Sequence, residues 1–154
     1  MRSLRDRRLW QLILVAMMVP LLFVAFWPLP IDQPVQGMLA DVLEFLHWLG
    51  VPQWFNYKFV EASANVALFV PLGFAGALAF PQNRWWQVAL FGLLISACIE
   101  LGQLTFLHNR FASILDVVTN LSGAVVGALL ATLAANRLAV RYLPQRTPKP
   151  YRST

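Results

Sequence analysis

Only one cysteine, Cys98, occurs in the chain, and it falls inside an apolar run. An intramolecular disulfide, a dithiol redox pair and a cysteine-based zinc cluster are therefore excluded, and Cys98 reads as a small buried hydrophobe. Histidine is nearly as scarce, with His47 and His108 alone. Charge is sparse too: Asp, Glu, Lys and Arg make up 12% of the residues and hydrophobic residues 58%, where ordinary globular domains carry about 25% charged residues. That composition is wrong for a soluble domain and right for a membrane protein. The net charge of +5 does not imply nucleic acid as a partner. The basic residues form short runs beside apolar segments, without interleaved exposed aromatics, and membrane topology accounts for them.

The apolar runs predict a single all-α membrane domain with four transmembrane helices, at about 9–29, 62–80, 87–107 and 113–133, followed by a flexible basic tail over 134–154. The first run lacks a small-x-small cleavage site, since it ends in AFWPLP, and it is longer than a usual signal-peptide core, so it is expected to be a retained span. Between the first and second spans, Val35, Leu39, Val42, Leu46 and Leu49 recur at helical spacing opposite Asp41, Glu44 and Trp48, which predicts an interfacial amphipathic helix. Trp48, Trp54, Phe55 and Tyr57 then form an aromatic belt, and His47 reads as an interfacial polar residue. The amino-terminal arm, the turn at Arg84 and the tail carry ten Lys and Arg, against Lys58 and Arg110 on the other side. The positive-inside rule thus places both termini in the cytoplasm and the amphipathic helix and Arg110 turn outside.

Against this apolar background the polar residues of the spans stand out, because an ionisable side chain at the middle of a span costs about 3 kcal/mol. Glu100 lies roughly 12 Å and Gln103 roughly 7 Å below the outer end of the third span. Asp116 and Asn120 occupy the first two turns of the fourth span, Asn65 is expected in the first turn of the second, and Arg110 sits on the connecting turn. Asp116, Asn120, Gly123 and Gly127 fall on one helical stripe about 60° wide. Gly92, Ser96, Glu100 and Gln103 make a matching stripe on the third span, and the two stripes are expected to face each other. Ser113 followed by Asp116 also fits a capping box, in which the acid satisfies free donors at a helix start. His108 with Glu100 and Asp116 matches no recognised ligand spacing, so no metal and no cofactor is expected.

The segments Glu61-ASA-Asn65-VALFVPLGF, Glu100-LG-Gln103, Arg110 and Asp116-VVT-Asn120-LSGAVVG resemble, in that order, the VanZ-like family of small bacterial membrane proteins, whose founding member confers teicoplanin resistance. The resemblance runs from about Glu61 to Ala128 and picks out Glu61, Asn65, Pro71, Gly73, Glu100, Gln103, Arg110, Asp116, Asn120 and Gly123. Many relatives carry further acids just after the arginine, where this chain has Ser113 and Leu115, so a mechanism built on a carboxylate cluster there does not transfer. The resemblance implies a multi-pass protein of the bacterial cytoplasmic membrane and a contribution to glycopeptide resistance, with no established chemistry.

Three functions fit these residues. A binding protein would engage a membrane lipid headgroup, a lipid-linked cell-wall precursor or a lipoglycopeptide at the outer leaflet, with Arg110 attracting phosphate or carboxylate and Glu61, Asn65, Gln103, His108 and Asn120 completing a polar cluster. A lipid-modifying enzyme would use Glu100 or Asp116 as general base and Arg110 to stabilise an anion. A proton-coupled transporter would rest on the intramembrane acid and would need a homodimer.

Overall fold

The computed structural model describes residues 6–27, 33–107 and 113–141. Nearly all of them lie in α1 (Arg7–Ala25), α2 (Gln36–Trp48), α3 (Tyr57–Ala79), α4 (Trp85–Phe106) and α5 (Ile114–Arg141), with a short 3-10 turn, Gln33–Val35, leading into α2. Four of these helices, all but α2, are long and apolar enough to cross a membrane. Large apolar side chains such as Leu12 and Val19 on α1, Leu94 and Leu101 on α4 and Leu133 on α5 are exposed. An exterior of that kind is suited to lipid as solvent, not water.

Local chemistry sets the helix ends. The Asp6 carboxylate accepts from the backbone N–H groups of Arg8 and Leu9 at 3.1 and 3.3 Å and starts α1. Asn56 accepts from Phe59 N–H at 3.2 Å and starts α3 at Tyr57 instead of Ala62. The cap moves Asn65 from the expected first turn of its helix to the third. At the other end of the chain, α5 continues to Arg141, so residues 134–141 are helical and not the flexible tail that their polarity suggests. Alanines at 131, 134 and 135 are good helix formers and carry the helix beyond the apolar run.

α2 keeps the predicted amphipathic character with a shifted face. Leu43 is its buried residue, whereas Val42 and Val35 are exposed. The turn after it is fixed by Gly50, whose φ of 94° lies in the left-handed region, and by a 3.0 Å contact between His47 Nε2 and the Phe55 carbonyl. Trp54, Phe55 and Phe59 pack edge-on or tilted against one another at the start of α3.

The core is a parallel pair, α3 and α5. A Cβ at Gly123 would overlap the Val66 carbonyl, one at Gly127 the Val70 carbonyl, and one at Gly73 the Ala124 carbonyl. The backbones therefore touch, and Ala124, Ala128 and Ala131 between them are fully buried. The expected pairing of the Gly123–Gly127 stripe with the third span is thus corrected: the glycines face α3, and α4 meets the neighbouring face of α5. The stripe divides between two partners: its glycines go to the closest crossing, with α3, while Asn120 at its outer end meets Ser96 on α4. α1 packs on α3 through an edge-to-face contact of Trp10 with Phe74, and Leu14 and Ala25 join Phe69, Leu72 and Ile99 in the core. Cys98 is exposed on the outer surface of the bundle, contrary to its reading as buried. Substituting Gly127 by Val should destabilise the protein by about 1–3 kcal/mol or more through overpacking, seen as a lowered unfolding temperature in detergent. Gly37→Ala, where a Cβ meets nothing within 4 Å, should leave it unchanged or slightly raised.

Candidate functional site

Gly92, Ser96, Glu100 and Gln103 lie on one face of α4, and all four are buried although three are polar. Spacings of four, four and three residues keep them within one stripe of an α-helix. Each contacts a different part of the bundle. A Cβ at Gly92 would come within 2.6 Å of the Ala124 Cβ, so the glycine allows α4 to lie close along α5. One turn further on, Ser96 Oγ accepts from Asn120 Nδ2 at 2.9 Å. Glu100 Oε2 accepts from the backbone N–H of Ser113 at 2.7 Å, tying α4 to the residue that precedes α5. Gln103 Nε2 donates to the Ala25 carbonyl at 2.8 Å and so caps the end of α1.

This row divides the predicted site residues by role. Gln103 is absorbed by a structural contact, because the last carbonyls of α1 have no partner within their own helix and in hydrocarbon no water replaces one. Asn120 is 6% exposed, and its Oδ1 has no partner among the described residues. Whichever way the amide is assigned, one polar atom faces Ser96 and the other has no partner among the described residues. Leaving such an atom unsatisfied costs about 1–3 kcal/mol.

Ser113 acts as the hydroxyl half of the expected capping box, since its Oγ accepts from Asp116 N–H at 3.3 Å. The return bond differs from the motif. The Ser113 N–H goes to Glu100 on another helix, so an interhelical acid takes over what a local acid at position 116 was expected to do. Asp116 is half-buried on the same first turn, and Asn65 is half-buried in the third turn of α3. Glu61, near the start of α3, is exposed; it, Glu100 and Asp116 are each engaged in further interactions. His108 and Arg110 lie outside the described residues. Among the described residues no group of three or more His, Cys, Asp or Glu side chains is placed to hold a metal ion.

Sequence reasoning placed Ser96 on the stripe facing Asn120 without naming the bond between them, and it did not single out the Ser113 backbone. For Ser96 a signal existed: it stands four residues before Glu100 as Asn120 stands four after Asp116, and antiparallel helices joined near residues 108–112 bring such positions to one level. For the Ser113 N–H none existed, since any residue there would supply the same donor.

A family model described as VanZ/LLP1 matches residues 10–135. The chain belongs to the VanZ/LLP1 family. The match takes in most of α1 and α5 and the whole of α2, α3 and α4, including the buried polar row, and so extends beyond the segments from Glu61 to Ala128 on which the resemblance rested. No curated protein and no solved structure is significantly similar to it. Membership and the four apolar helices together make this a VanZ-like membrane protein. For the Ser96–Asn120 contact, a double-mutant cycle with Ser96→Ala and Asn120→Ala, read by thermal unfolding in detergent, should give a coupling of about 0.6 kcal/mol, as is usual between membrane helices. A value of zero would mean that the two side chains do not interact.

Proposed function

We propose that this family member is a binding protein of the bacterial cytoplasmic membrane whose outer end engages the polar head of a membrane lipid, a lipid-linked cell-wall precursor or a lipoglycopeptide, and that it contributes in this way to teicoplanin resistance. The observation that carries the reading is that polar side chains from three helices gather toward one end of the bundle. α3 brings Glu61 and Asn65, α4 brings Glu100, and the first turns of α5 bring Asp116 and Asn120. Arg110 stands three residues before Ser113, whose backbone N–H is held by Glu100. A guanidinium suits phosphate or carboxylate because its planar donors bind both oxygens at once. The excess of Lys and Arg at the opposite end supports an outward orientation for this layer, with both termini in the cytoplasm.

A lipid-modifying enzyme using Glu100 as base draws less support, because Glu100 Oε2 already accepts the Ser113 N–H and ties α4 to the start of α5. The two readings separate in the cell. In a strain where deletion raises teicoplanin susceptibility, Arg110→Ala should behave like the deletion at equal membrane abundance, and Arg110→Lys should restore only part of the resistance. Total lipid mass profiles should not change between deletion and complemented strains. Wild-type resistance in the Arg110→Ala strain would defeat the binding reading, and a substrate and product pair in the lipid profiles would establish the enzyme instead.

A further inference from the structure

At the end of the bundle opposite Glu100, we propose a second lipid contact: a cleft between the α3–α4 turn and the last turns of α5 that holds the phosphate of an anionic phospholipid in the adjoining leaflet. The cleft has a volume of about 410 Å³, inside the usual range for small-molecule sites, about 300–1,000 Å³. Its donors come from two separate elements. Asn83 and Arg84 line it from the turn and Asn136 from α5, so an arginine and two asparagines border one concave space. Trp85 and Trp86, both partly exposed, form part of its wall and add indole N–H groups. Ala77, Ala131 and Ala135 also line it, and their small side chains leave room between the helices.

The electrostatics select an anion. Among the described residues no acidic side chain lines the cleft and no carboxylate pairs with Arg84. Arg7, Arg8 and Arg137 lie at the same end of the bundle, where the acid among the described residues, Asp6, is occupied as the cap of α1. Interfacial tryptophans and a topology-setting arginine would account for Arg84, Trp85 and Trp86 singly. Chain continuity keeps Asn83 to Trp86 together, but those roles do not call for Asn136, which α5 brings to the same cleft and which adds a second amide beside Arg84. Trp85 and Trp86 fit a phosphate diester held at headgroup depth, since their amphipathic rings favour the headgroup region.

Native mass spectrometry of the full-length protein in detergent tests this, with phosphatidylglycerol, phosphatidylcholine and inorganic phosphate as probes. Phosphatidylglycerol should bind saturably and at least about fivefold more tightly than phosphatidylcholine, the factor expected for one basic residue at an anionic surface. Arg84→Gln should remove that preference. Asn136→Leu, which removes the amide at nearly the same side-chain shape and leaves the charge unchanged, should weaken phosphatidylglycerol as well. Unaltered selectivity in both variants would overturn the site and leave Arg84 and the tryptophans as interfacial anchors. Displacement of phosphatidylglycerol by an equal concentration of inorganic phosphate would overturn the lipid assignment in favour of a free phosphate. Measured on an Arg110→Ala background, these outcomes report on the Arg84 cleft apart from any lipid held at the Glu100 end.

Discussion

The backbone contact between α3 and α5 is the constraint on which the other helix contacts depend. In lipid, an apolar side chain gains little by exchanging one hydrocarbon neighbour for another, so close packing and polar contacts have to hold the bundle. Gly73, Gly123 and Gly127 let two parallel helices meet backbone to backbone, with Ala124 and Ala128 sealed between them. Once that pair is set, α4 can return only along the remaining face of α5. Gly92 against Ala124 then fixes its height, which brings Ser96 level with Asn120 and Glu100 level with Ser113. α1 completes the bundle through Trp10 and Phe74 at one end and Gln103 with the Ala25 carbonyl at the other.

Polar chemistry is consequently segregated. The end with Glu100 holds buried acid, amide and hydroxyl groups bonded between helices; the end with Arg84 holds exposed cations and amides around a cleft. The central stretch is nearly all apolar and carries little that could pass a proton or an ion from one end to the other. Ser96 is the deepest buried polar group of the α4 row, and its hydroxyl is bonded to Asn120. This distribution suits two separate surface functions better than a conduction path, because a transport route needs polar partners throughout the hydrocarbon depth.

The fold was largely legible from apolar run length, since about 20 apolar residues suffice to span and the runs are separated by Pro, Gly, Asn and Trp. Helix ends were less so. Asn56 lengthened α3 through one side-chain bond, and a hydropathy reading does not register a cap that sits among polar residues. The small-and-polar stripe of α4 was visible from its spacing and is buried as a row. Three of its residues meet α5 or the residue before it, as expected, but Gln103 turns to α1, because a periodic pattern names the face of a helix and not every neighbour that covers it. Gly123 and Gly127 show this most clearly: their spacing announced a close crossing, but α3 and α4 both offered small residues to receive it. Glu100 shows the same limit for chemistry, since its partner is a backbone N–H that no side-chain motif can reveal.

Binding at the Glu100 end requires that the polar layer attract a ligand beyond its own internal bonds. Mass spectrometry of the lipids that co-purify with the full-length protein, compared between wild type and Arg110→Ala at equal folded yield, tests this most directly. The account predicts a discrete lipid or lipid-linked species enriched with the wild type and depleted from the variant. Identical lipid profiles for the two proteins would contradict it and would leave the polar layer as a set of structural bonds that hold α1, α4 and α5 in register.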